Sequence, residues 1–190
     1  MNVALQQPWT VEKFFAWAER QDGRYEFDGE QPVAMTGGTN RHATIISSLN
    51  VALGIRLRGT PCRQLGPEAG LATIGNAIRY PDGLITCTKQ VEETRIVEGA
   101  VIAFEGVSPT SVRTDHTLKV AEYAAVASMR RYVIIESAAP GLLVLHRHTG
   151  NDPWTAVALA AGDILKLPEV GIEVPVAELY EGLEFLDSAE

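Results

Sequence analysis

Cysteine is scarce: Cys62 and Cys87 are the chain's two. They lack the spacing of a zinc site, and two cysteines do not make a disulfide framework. The expectation is a pair of small, reduced core side chains in a cytoplasmic protein. Long apolar runs are missing too, and no stretch approaches the length of a membrane span. The opening Met1-Asn2-Val3-Ala4-Leu5-Gln6-Gln7-Pro8 has neither a basic start nor an apolar run, so no secretory leader is expected. Positive charge is in deficit, with a net charge of −8. That argues against a protein that coats nucleic acid through bulk electrostatics. A local basic rim or bound cations can still serve a nuclease. The glycine-x-serine-x-glycine elbow is absent, which disfavours a hydrolase built on Ser108 and His116. Gly37-Gly38 lacks the lysine of a phosphate loop and reads as a flexible link.

What is present suits one compact domain. Hydrophobic residues make up 46% of the 190, enough for a sizeable core. Thr10 to Arg20 reads as a capped helix with Val11, Phe14, Phe15 and Ala18 at helical spacing. Arg24 to Met35 reads as a β-hairpin turning at Asp28-Gly29. Arg41 to Arg58 is a long helix with an apolar stripe of Ile45, Ile46, Leu49, Ala52, Leu53 and Leu57. Strands are expected at 62–65, 71–74, 78–86 and 101–105. A helix from Asp115 to Met129 would turn Leu118, Ala121, Ala125 and Met129 to the core. Further strands follow at 132–135, 142–146 and 154–160, then short strands and a turn near Val176–Tyr180. The sum is a mixed sheet flanked by helices, α/β or α+β.

Three carboxylates and a lysine carry the chemical hint. Glu105 ends the apolar run Val101-Ile102-Ala103-Phe104, and Asp82 lies within a similar run after Tyr80-Pro81. A carboxylate there is costly to bury unless it is paired or binds something. If the two strands are neighbours, both carboxylates meet, and adjacent like charges cannot both stay ionised cheaply. A divalent cation resolves this, and carboxylate ligands favour Mg²⁺ or Mn²⁺. Lys119 could then orient a water or offset charge on a phosphate. The plainer alternative is that these carboxylates cap loops, and that Asp115 and Lys119 form an ordinary helix-surface ion pair. His42 divides the same way between a site residue and a local hydrogen bond. His146 and His148 share a strand face and read as solvated edge residues. Arg56, Arg58, Arg63, Arg79, Arg113, Arg130 and Arg131 could touch phosphates or line a solvated surface.

The order Tyr25-Glu26-Phe27-Asp28-Gly29-Glu30, Arg41-His42, Tyr80-Pro81-Asp82, Phe104-Glu105-Gly106-Val107-Ser108-Pro109-Thr110-Ser111, Asp115 and Lys119-Val120-Ala121-Glu122-Tyr123 resembles the Uma-two family of restriction-endonuclease-like proteins. That family is a branch of the PD-(D/E)XK nuclease superfamily. Arg131-Tyr132-Val133-Ile134-Ile135-Glu136 fits the same pattern. The resemblance implies a restriction-endonuclease-like central mixed sheet with an N-terminal helix and hairpin. It places the core at about 20–150 of a single domain spanning 1–190, with C-terminal strands and a short helix appended. It implies a metal, Mg²⁺ or Mn²⁺, held by Asp82, Glu105 and the backbone carbonyl of Gly106. Lys119 would take the catalytic lysine's role, moved to the helix from the position of Val107, with His42 and Glu26 near the site. The sequence departs from the family's usual Glu-Val-Leu-Ser-Pro at Gly106-Val107.

The function expected is a metal-dependent endonuclease hydrolysing DNA phosphodiesters, working as a homodimer without a membrane. The alternative is a non-catalytic domain that keeps the fold and binds nucleic acid or protein.

Overall fold

The computed structural model describes residues 8–107 and 113–185, without the side chains of 113–116. Its elements are α1 (Val11–Ala18), β1 (Tyr25–Phe27), β2 (Pro32–Ala34), α2 (Asn40–Arg56), β3 (Arg63–Leu65), β4 (Leu71–Ala72), β5 (Ile78–Arg79), β6 (Gly83–Thr86), β7 (Ala100–Val107), α3 (Arg113–Ala125), β8 (Arg131–Glu136), β9 (Gly141–His146), β10 (Thr155–Ala160), β11 (Ile164–Leu167) and β12 (Ile172–Pro175). Short 3-10 turns occupy Ile74–Asn76 and Val176–Tyr180.

The main sheet has the order β10-β9-β8-β7-β6-β3. β7 and β8 run parallel across the α3 connection, and the other pairs are antiparallel. The sheet is therefore mixed, as expected. β7 is apolar on both faces because each face is covered. Ile102 and Phe104 join Ile45, Leu49 and Leu53 of α2 in one cluster. Ala103 and Val107 join Tyr123 and Tyr132 in the other. Burying a side chain such as Phe104, which is fully covered, contributes about 1.5–3 kcal/mol.

A second sheet, β2-β1-β5-β4, is antiparallel throughout. The hairpin turn forms where expected: Asp28 Oδ1 accepts from the backbone of Glu30 and Gln31 at 2.8 and 2.6 Å. The strand expected at 78–86 is instead two strands in two sheets. Pro81 has no N–H to give a ladder, so the chain leaves β5, turns through Tyr80-Pro81-Asp82 and enters β6. Asp82 thus stands at the mouth of β6 rather than inside a strand. Strand alternation then sorts the small sheet. Tyr25, Phe27, Ile78 and Tyr80 pack with Phe14 and Trp17 of α1, while Glu26 and Arg79 belong to a buried polar cluster on the opposite side.

α3 corrects the expected face. Leu118 is 50% exposed, and Ala121 and Ala125 are exposed as well. The buried residues are Lys119, Glu122 and Tyr123. The apolar stripe misleads because this helix covers charged partners, which can be buried when paired. Met129 is buried as expected, but beyond the helix, which ends at Ala125. Arg147 terminates α3. Its guanidinium donates to the carbonyls of Ala124, Val126 and Met129 at 2.8–3.0 Å and lies 4.5 Å from the Trp154 ring. Carbonyls at a helix end lack an intrahelical donor, and the guanidinium supplies one to Ala124 while also tying down the turn that follows.

Thr39 caps α2, its hydroxyl accepting from the His42 N–H at 3.2 Å. Arg56 near the other end grips Glu178 through two hydrogen bonds of 2.8 and 2.6 Å. The cysteines are not reduced core residues: the structure joins Cys62 and Cys87 as a disulfide. They flank the antiparallel pair Arg63 and Thr86, so β3 and β6 bring them face to face, and Cys87 is exposed. Among the described residues, no helix is long and apolar enough to cross a membrane.

Candidate active site

Antiparallel pairing of β6 with β7 aligns Gly83 with Phe104, so Asp82 and Glu105 come opposite one another one step further on. Asp82 Oδ2 accepts the Gly106 N–H at 2.8 Å. The same oxygen lies 3.0 Å from His42 Nε2. The hydrogen bond to Asp82 holds the imidazole pKa above its ordinary value, while burial opposes the rise. Two glycines make room for this ring. A Cβ on Gly106 would stand 2.8 Å from the imidazole, and one on Gly38 would stand 2.5 Å from Nδ1. Gly38 is thus part of the site's packing rather than only a flexible link. Gly106 is what the His42 ring rests against.

Glu105 faces the other way, into the layer under α3. Lys119 Nζ donates to its Oε2 at 2.8 Å, and the Tyr123 hydroxyl donates to Oε1 at 2.5 Å. Burial pushes the Glu105 carboxyl up, and Lys119 and Tyr123 pull it back. Lys119 also lies 3.7 Å from Glu26. Glu26 accepts from the Tyr80 backbone N–H and from Arg79 Nη1, both at 3.1 Å. Arg79 completes the set with a bidentate pair to Glu122, both bonds 2.6 Å. Burial opposes the guanidinium's charge, but the two glutamates outweigh it and hold its pKa above the usual value.

The structure thus brings together Glu26, Glu105 and Lys119 in one cluster, and His42, Asp82 and Gly106 in another, across β7. A cleft of about 590 Å³ opens on the second, lined by His42, Asp82 and Gly38. The side chain of Asp115 lies outside the described residues. Glu122 and Tyr123 are the site residues the sequence reading missed, and Arg79, weighed there as a phosphate contact or a solvated residue, is instead buried between Glu26 and Glu122. Glu122 and Tyr123 follow Lys119 by three and four positions and so share its helix face. Arg79 offered no signal beyond an arginine in an apolar run. Other arginines weighed as phosphate contacts are engaged elsewhere: Arg56 with Glu178 and Arg131 with Glu169.

The donor set suits a hard cation. Among the described side chains of the buried cluster, Glu26, Glu105 and Glu122 face Arg79 and Lys119, one carboxylate more than the cations. No three His, Cys, Asp or Glu side chains among the described residues form a ready-made cage. Mg²⁺ is commonly held by one or two carboxylates with water and substrate phosphate completing the shell; Asp82 and Glu105 are oxygen donors of that kind, but in this structure they face opposite sides of β7 and Glu105 is held by Lys119 and Tyr123.

The fold is that of a nuclease-like protein. It matches the crystal structure of a "putative nuclease belonging to DUF820" from Anabaena variabilis ATCC 29413 with a TM-score of 0.72. The match covers 90% of this chain and 97% of the other at 13% identity, a likeness of fold. The family model described as "Uma2: Putative restriction endonuclease" matches residues 11–177, and the chain belongs to that family. The uncharacterized protein slr1290 of Synechocystis sp. is 27% identical over 177 residues, 92% of each chain.

Proposed function

We propose that this chain is a metal-dependent nuclease that hydrolyses DNA phosphodiester bonds. The observation that carries the reading is the alignment of Asp82 with Glu105 across β6 and β7, with Lys119 on Glu105 and a cleft opening on Asp82. Asp82 and Glu105 would hold Mg²⁺ or Mn²⁺, with the Gly106 carbonyl as a third oxygen. A cation held there activates water and offsets phosphate charge.

The chain's own residues have separate tasks. Lys119 holds Glu105 in place and carries the positive charge that a pentacoordinate phosphate calls for. His42 orients Asp82 from the α2 side. Glu26, fixed by Arg79 and the Tyr80 N–H, keeps Lys119 from swinging to a single partner. Cutting both strands asks for two such clefts, so a homodimer is the expected working form, readable by light scattering.

The test is nicking of supercoiled plasmid in Mg²⁺, Mn²⁺ or EDTA, with Asp82→Ala and Lys119→Ala beside the parent. Metal-dependent nicking that both variants lose is the expected result. Nicking by Asp82→Ala at the parental rate would overturn the assignment. A folded parent that cuts nothing under any metal would favour a non-catalytic binding domain.

A further inference from the structure

A second cavity, of about 300 Å³, adjoins the Asp82–His42 cleft. Arg24 and Met35 line both spaces and form their shared wall. The second cavity is also lined by Tyr25, Tyr80 and Arg95, and by Glu19 and Glu68, the carboxylates that pair with the two arginines. Its placement follows from strand alternation. Tyr25 precedes Glu26 in β1, and Tyr80 follows Arg79 after β5. The strands that send Glu26 and Arg79 toward Lys119 therefore send the two tyrosines to the opposite face. Tyr80 is tied to the site directly, because its N–H donates to Glu26. The Tyr25 and Trp17 rings meet nearly perpendicular, with centroids 4.7 Å apart.

The carboxylate partners of the two arginines are exposed. Arg24 donates to the Pro67 carbonyl at 2.5 Å and lies 3.7 Å from Glu68, whose side chain is 86% exposed, and Arg95 lies over the Phe15 ring. Arg95 pairs with Glu19, whose side chain is 56% exposed. Exposed ion pairs of this kind contribute little, so a phosphate can compete with Glu68 and Glu19 for the two guanidiniums. Aromatic faces with arginine beside them are the chemistry that takes unpaired bases and their backbone. Stacked base pairs of an intact duplex cannot present a single base to such a pocket. The chain's net charge of −8 also suits capture of one nucleotide better than neutralisation of a long duplex.

Building on the nuclease reading, we infer that this cavity is a subsite for one unpaired nucleotide next to the cleaved bond. Its base lies against Tyr25 and Tyr80, and its phosphate is drawn by Arg24 and Arg95. The substrate class is then nucleic acid with an unpaired strand, such as a single strand, an overhang or a flap.

The test is binding of a single-stranded DNA pentanucleotide carrying 2-aminopurine to the full chain in EDTA. The expected result is quenching on binding and about tenfold weaker affinity in Arg24→Ala/Arg95→Ala and in Tyr80→Leu, with melting temperatures near the parent's. A blunt duplex of the same sequence should compete at least about tenfold more weakly. No binding by the parent, equal competition by the duplex, or unchanged affinity in folded variants would overturn the subsite. Cleavage is scored separately: quenching without metal-dependent cutting of any strand sinks the nuclease reading and leaves the subsite standing.

Discussion

The imidazole of His42 rests against the bare backbone of Gly106, where a Cβ would come within 2.8 Å of the ring. That contact lets one histidine reach Asp82 from α2 while Gly106 itself donates to the same carboxylate. A side chain at 106 would require the His42 ring to shift from this position.

Gly106→Ala should therefore push His42 off Asp82. Overpacking of this kind costs about 1–3 kcal/mol, measurable by urea unfolding. The sharper readout is the His42 imidazole signal in NMR, which should move in Gly106→Ala. An unmoved signal would mean that the ring does not depend on this gap.

His42 also gives the metal-free protein a pH dependence. Its pKa is raised above 6.5, chiefly by Asp82. The folded state therefore holds this proton more tightly than the unfolded chain. The stabilisation is complete below 6.5, the unfolded reference value, and is lost as pH rises through the folded pKa. Asp82→Asn should lower the His42 midpoint in an NMR titration and flatten the stability profile over that window.

Arg79 and Arg95 separate buried from exposed pairing. The Arg79 side chain is 4% exposed and lies between two glutamates. Arg79→Met should cost about 3–5 kcal/mol by leaving both carboxylates buried without their cation. Arg95→Ala, half exposed beside an exposed Glu19, should change stability by about 0.5 kcal/mol or less. Similar losses in the two variants by urea denaturation would contradict this division.

The Cys62–Cys87 disulfide closes a loop with a sequence separation of 25. Chain entropy gives such a link about 3 kcal/mol. Dithiothreitol, or Cys62→Ser with Cys87→Ser, should lower the melting temperature by several degrees while β3 stays paired with β6. An identical melt with and without reductant would show that the link adds no net stability.

The β-hairpin, both long helices and β7 to β10 were legible because turn residues, caps and apolar periodicity act locally. Asp28-Gly29 specifies its turn whatever surrounds it. The stripe from Ile45 to Leu53 needs only some core to face. The region around Pro81 was misread because 78–86 is apolar almost throughout, and apolarity cannot say to which of two sheets each half belongs. The buried face of α3 was misread for a related reason. Periodicity counts apolar residues, and Lys119 and Glu122 are buried through partners that lie 14 and 43 residues away.

The sequence by itself determined which residues could do chemistry and the order in which they come, because residue type and local spacing are written in the chain. It also set the balance of two covered faces around β7. Only the tertiary structure decided that Asp82 stands opposite Glu105, that Arg79 and Glu122 brace Glu26 beside Lys119, and that Gly38 and Gly106 leave space for His42. Those facts depend on strand register and on contacts between distant segments, and the free energy of a long-range contact depends on both partners together.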